Sequence, residues 1–75
     1  MSATRYVVTT IYNGQRKFLR NHGRHSLAVE SVEYADCFDD IESACETAFR
    51  ARKSIRWRGF SWHEAAHPED ALVHA

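Results

Sequence analysis

Asn13-Gly14 stands between two runs of extended character, Arg5 to Tyr12 and Gln15 to Asn21, and it constrains the fold more than any other dipeptide in the chain. A two-residue type I′ turn needs φ > 0 at both central positions, which Asn and Gly accept at the least cost. Such a turn sets the register, with Tyr12 opposite Gln15, Thr10 opposite Lys17 and Val8 opposite Leu19. Side chains alternate along a strand, so one face carries Tyr6, Val8, Tyr12 and Leu19 and the other Val7, Ile11 and Phe18. Apolar groups on both faces mean that neither is plainly the solvent face.

The polar run Asn21 to Ser26, with His22, Gly23 and His25, reads as a loop, and a third strand is expected between Val29 and Cys37. Asp39 suits a helix N-cap and Glu42, three residues on, completes a capping box. Ile41, Ala44, Cys45, Ala48 and Phe49 recur at helical spacing, which predicts a helix over Asp40–Lys53 with that stripe buried. Acids early and Arg50, Arg52 and Lys53 late in this segment complement the helix macrodipole. Ser54 to Trp62 returns to strand character, with a bulge or bend at Gly59 where the parity of the aromatic residues shifts. The predicted fold is an α+β domain over residues 1–62, an antiparallel sheet of about four strands in the order β-β-β-α-β with one helix on one face. Residues 63–75 are expected to be a C-terminal tail, in which Pro68 is well placed to open a short helix through Val73.

A chain of 75 residues buries only about 60% of its unfolded surface, which excludes deep catalytic clefts and leaves one thin core. It has no run of about 18 apolar residues, and Met1-Ser2-Ala3-Thr4-Arg5 lacks the apolar centre of a secretion signal. Cytoplasmic residence without a membrane partner is the expectation. In that reducing compartment Cys37 and Cys45 are expected as free thiols packed in the core. The formal net charge is +0, but the charges are sorted. Residues 1–29 carry Arg5, Arg16, Lys17, Arg20 and Arg24 without an acid, residues 30–49 carry only acids, and Arg50, Arg52, Lys53, Arg56 and Arg58 follow.

His63-Glu64-Ala65-Ala66-His67 matches H-E-x-x-H, in which two histidines one helical turn apart bind zinc and the glutamate acts as base. That chemistry needs a helix, a third ligand and a walled cleft. Here Pro68 truncates any helix, and Asp70 and Val73 stand where the longer pattern wants glycine and a third ligand, with His74 one residue out of place. His22 and His25 lack cysteine partners at zinc-finger spacing, and neither cysteine belongs to a C-x-x-C pair. Gly14, Gly23 and Gly59 are isolated, so no phosphate-cradling loop is present. The reading is a non-enzymatic chain without a cofactor or a metal. What remains is a basic and aromatic set, Arg16, Lys17, Arg20, Arg56, Trp57, Arg58, Phe60 and Trp62, expected to bind a partner through a sheet face. Such a face also suits stacking of single-stranded bases, which makes nucleic acid the alternative ligand, opposed by the acids of the middle segment.

Tyr6, Asn13-Gly14, Phe18-Leu19 and then Ala35-x-x-Phe38-Asp39-x-x-Glu42-x-Ala44 give a layout that resembles short phage and prophage accessory proteins, among them anti-CRISPR proteins, over residues 5–62. The resemblance implies a small protein that binds a host protein or ribonucleoprotein complex and blocks it sterically. With the residue-level reading, the expectation is a protein-binding inhibitor or accessory module. Single-stranded nucleic-acid binding comes next and a zinc hydrolase a distant third. The apolar surplus on the second sheet face is expected to be covered by the partner or by a second copy.

Overall fold

In the computed structural model, which describes residues 4–22 and 25–69, the turn at Asn13-Gly14 has φ of 53° and 77°, the left-handed values that the type I′ geometry demands. It joins β1 (Tyr6–Tyr12) to β2 (Gln15–His22) in the register expected, Tyr12 opposite Gln15 and Thr10 opposite Lys17. The ladder runs to Thr9 opposite Phe18. Beyond it residues 36–38 enter between the strands. Tyr6 and Phe38 exchange both backbone hydrogen bonds at 2.8 Å, Asp36 N donates to Leu19 O, and the Asp36 carboxylate accepts from Asn21 N.

The sheet is four-stranded and antiparallel in the order β3-β2-β1-β4, and the chain runs β-β-β-α-β as its sequence predicts. Two strands lie elsewhere than expected. β3 is His25–Val29, paired with β2 from Phe18 opposite Val29 to His22 opposite His25, so the polar run expected to be a loop is the end of a hairpin. Edge strands tolerate polar residues, and here Ser26 Oγ donates to Asn21 Oδ1 across the pair. Gly23, Arg24 and the side chains of His22 and His25 lie outside the described residues. The segment in which a third strand was expected holds only a 3-10 turn at Val32–Tyr34 and the Phe38 bridge.

The second displaced strand is β4, His63–Ala66, in what reads from sequence as a tail beyond residue 62. It pairs with β1 from Tyr6 opposite Ala66 to Thr9 opposite His63, and His67 continues the edge by donating its N–H to Arg5 O. The domain therefore extends through residue 67, because the exposed edge of β1 offers hydrogen bonds that outweigh the poor strand propensity of His-Glu-Ala-Ala. Pro68 and Glu69 take helical conformation, and the rest of the expected final helix lies outside the described residues. Ser54 to Trp62, expected as a strand, is instead a 3-10 turn at Ile55–Trp57 followed by a type II turn. Arg58 has φ −59° and ψ 129°, Gly59 has φ 91°, and Phe60 N donates to Trp57 O at 3.0 Å. Gly59 thus marks a chain reversal rather than a bulge.

Helix α1 spans Ile41–Lys53 and its cap is Asp40, one residue later than expected. Asp40 Oδ2 accepts from Ser43 N at 3.0 Å and Ser43 Oγ donates back to the same carboxylate, so the capping pair is Asp40 and Ser43 rather than Asp39 and Glu42. The helix packs chiefly over β1 and β4. Its buried stripe is Ala44, Ala48 and Ala51, while Ile41 and Phe49 are half exposed and Cys45 is exposed. Alanines face the sheet because the sheet side already supplies the bulk: Val8, Leu19, Trp57 and Trp62 form one cluster with them, joined by Tyr6, Ala28, Phe38 and Phe60. Small groups on one surface opposite large ones on the other give the density a core needs. Neither cysteine packs in the core as expected, since both side chains are exposed.

Candidate functional site

The residues expected to form a binding face separate into three groups. Trp57 and Trp62 are buried, at 9% and 0% exposure, and Phe60 is half-buried. They stack on one another. Phe60 lies flat against Tyr12, with ring centroids 4.3 Å apart and planes 4° from parallel, and Trp57 meets both Phe60 and Trp62 edge-on. The two turns between α1 and β4 cause this, folding residues 57, 60 and 62 onto the helix side of the sheet instead of spacing them along a strand. The tryptophans are therefore core anchors and not exposed contacts, and much of the apolar surplus expected on the second sheet face is spent here.

Arg16 and Arg20 form the second group. They alternate with Phe18 on β2, on the sheet face turned away from α1. Arg16 Nη1 reaches across to Thr9 Oγ1, which in turn donates to Lys17 O at 2.7 Å. Val7, Thr9 and Phe18 are buried on this face, and its large exposed apolar groups are Ile11 and Leu27. Lys17 points to the other face and pairs with Glu30 at 2.9 Å. These three cations do not converge with the remainder.

Arg56 and Arg58 make the third group, beyond the C-terminal end of α1. The Arg56 guanidinium lies 5.5 Å from the Trp57 ring centroid, a cation–π contact, and Arg58 is exposed. Here the structure builds something that sequence reading missed. Because α1 sits over β1 and β4, the β2–β3 half of the same face stays open beside it. The result is a groove of about 330 Å³, floored by Leu19, Asn21 and Ser26, walled by Thr47, Arg50, Ala51 and Ser54 and closed by Arg56 and Trp57. Thr47, Ala51 and Ser54 follow at i, i+4 and i+7, so a stripe of small residues on one flank of the helix was the available signal. Arg50 pairs with Glu46 on the rim, whereas Arg56 and Arg58 have no ion-pair partner among the described residues. The groove thus offers a mostly polar lining around Leu19 and Ala51, with an indole and the Arg56 guanidinium at one end.

The H-E-x-x-H segment lies on β4, where residues four apart are separated by about 13 Å along the strand, too far for one ion to be held by both histidines as it is on a helix. His63 is exposed with Nδ1 against Ser61 O, and His67 is buried, its Nδ1 accepting from Glu69 N. Glu64 points to the opposite face from both. No group of three or more His, Cys, Asp or Glu that could hold a metal ion occurs among the described residues, and no helix among them is long and apolar enough to cross a membrane. No protein-family model, curated protein or solved structure matches the chain.

Proposed function

We propose that this protein is a non-enzymatic binding module of the cytoplasm that acts by occupying a surface of a larger protein, and that the groove between α1 and the β2–β3 half of the sheet is its contact site. The observation that carries this reading is the offset of the helix, which leaves Leu19, Ala51 and Trp57 lining an open groove with Arg50 and Arg56 at its rim. About 330 Å³ lies at the small end of ligand pockets, a volume suited to one or two side chains of a partner segment rather than to a large cofactor. The fitting segment carries an apolar side chain for Leu19 and Ala51 and an adjacent carboxylate for the Arg56 guanidinium, whose fork geometry favours bidentate pairing with carboxylates. This agrees with the class that the sequence resembles, small phage-encoded inhibitors of host defence complexes that block by steric occupation. The alternative, single-stranded nucleic acid, is less well supported, since Trp57, Phe60 and Trp62 stack on each other and expose no platform for bases.

Selection of peptides from a displayed random library on the folded protein tests the site. Enriched peptides are expected to pair an acidic with an apolar residue and to lose at least tenfold in affinity, about 1.4 kcal/mol, on Arg56→Glu or on the groove-filling Ser54→Trp. Binding that ignores both changes, or tight capture of oligonucleotides with a steep salt dependence in place of peptides, would overturn the reading. The inhibitor class is tested by expressing the protein in a CRISPR-immune host: restored phage plating, lost with Arg56→Glu, supports it, and unchanged immunity across the system types tried counts against it.

A further inference from the structure

Ile41, Cys45 and Phe49 follow one another at i, i+4 and i+8 and form a single ridge along α1. Ile41 is 51% exposed, Phe49 is 49% exposed, and Cys45 is an exposed free thiol. The alanine stripe that meets the sheet lies on another side of the helix, and the groove wall of Thr47, Ala51 and Ser54 lies on the flank opposite the ridge. The ridge is therefore a second surface, independent of the groove. What touches the Phe49 ring is cationic: Lys53 Nζ stands 4.2 Å from its centroid and the Arg52 guanidinium 5.9 Å.

Charge along this surface has a direction. Glu42 lies beside its N-terminal half and Lys53 at its C-terminal end, while Glu46 is paired with Arg50 and Arg52 Nη1 donates to Trp62 O. A surface that runs from acid through apolar to base is complementary to itself once reversed, and it opposes like charges when two copies align in parallel. We propose that a second copy of this chain docks antiparallel on α1 about a two-fold axis passing close to Cys45. A two-fold contact uses the same patch on both subunits, which this order of residues satisfies. Ile41 of each chain then meets Phe49 of the other, Glu42 comes beside the Lys53 ammonium that lies over that Phe49 ring, and the two Cys45 thiols approach each other at the centre. Helices in such contact lie about 8–10 Å apart, within reach of a short crosslinker joining the two thiols. A 13-residue helix is about 20 Å long, so the contact falls near the lower limit for specific interfaces and the dimer is expected to be weak. Two copies joined in this way keep both grooves open.

The test uses sedimentation equilibrium of the full chain with crosslinking. In a Cys37→Ser background, a bismaleimide with an arm of about 10 Å is expected to give a covalent dimer that disappears on Cys45→Ser. Phe49→Glu is expected to weaken self-association at least tenfold with the circular dichroism spectrum unchanged. Glu42→Lys alone and Lys53→Glu alone should each weaken it, and an equimolar mixture of the two should recover a heterodimer, because each exchanged charge then meets its opposite across the axis. A wild type that stays monomeric at 1 mM, a dimer indifferent to Phe49→Glu, or a mixture that fails to recover association would overturn the proposal. Peptide capture by the groove is unaffected by Phe49→Glu if both readings hold.

Discussion

Replacing Asp40 by alanine removes the one side chain that satisfies the first turn of α1. Its Oδ2 accepts from Ser43 N at 3.0 Å, and Ser43 Oγ donates to both carboxylate oxygens at 2.9 and 3.1 Å, so the substitution strands one backbone N–H and one hydroxyl at an exposed helix end. N-cap losses cost about 1 kcal/mol within a range of about 0.5–2. The charge of Asp40 adds a favourable interaction with the macrodipole of up to about 1 kcal/mol, which Asp40→Asn would remove while keeping the acceptor. For a domain of this size each kcal/mol moves the melting temperature by about 4–8 °C and, with m near 1 kcal/mol/M, the urea midpoint by about 1 M. Asp40→Ala is therefore expected to melt about 4–16 °C below wild type, with Asp40→Asn between the two. Asp39→Ala should stay within about 0.5 kcal/mol of wild type, as Asp39 is exposed and makes no capping bond. Urea titrations of all four proteins decide the matter. An Asp39→Ala that costs as much as Asp40→Ala would place the helix start one residue earlier and refute the capping geometry.

Two further outcomes follow from the interior. Thr10 Oγ1 is fully buried without a hydrogen-bond partner, so the near-isosteric Thr10→Val is expected to leave stability unchanged or raise it by about 1 kcal/mol, and a loss beyond 1 kcal/mol in urea would show that the hydroxyl is bonded. Trp62→Ala removes the largest fully buried side chain and is expected to cost about 3–5 kcal/mol of the roughly 4–11 available to a chain this size, so the variant should melt far below wild type, and a cooperative melt near wild type would contradict its place in the core.

What was legible in the sequence was local. Asn13-Gly14 dictated its own φ values, and through them the register of β1 and β2, because only two residues had to agree. The helix was legible for the same reason, from spacing and from the sorting of its charges. Its rotation was not. Ala44 and Ala48 belong to both the expected stripe and the observed one, and whether Ile41, Cys45 and Phe49 or Ala51 joins them depends on the bulk presented by the sheet and by Trp57 and Trp62, which no window of the helix contains. β4 was missed because His-Glu-Ala-Ala has no strand propensity, and what makes it a strand is the open edge of β1, some fifty residues away. Ile55-Arg56-Trp57-Arg58 showed the reverse error. Its alternation over four residues fits a strand, but the same four residues begin two consecutive turns.

These misplacements share a cause that also shaped the candidate sites. A thin core can be filled either by spreading large side chains along every element or by gathering them in one place, and this chain gathers Tyr12, Trp57, Phe60 and Trp62 beyond the end of its helix. Alanines then suffice between helix and sheet over β1 and β4, and Arg52 Nη1 fixes the arrangement by donating to Trp62 O at 2.7 Å. Two surfaces result from that choice. The helix has small residues on the flank beside β2 and β3, which opens the groove, and it has Ile41, Cys45 and Phe49 on the other flank, with no role in the core. Full burial of an Ile or Phe side chain is worth about 1.5–3 kcal/mol, a large sum to leave unrealised at two positions in a domain with so little stability to spare. The aromatic residues that look most like contacts in the sequence therefore hold the fold, and the binding readings rest on the two flanks of α1.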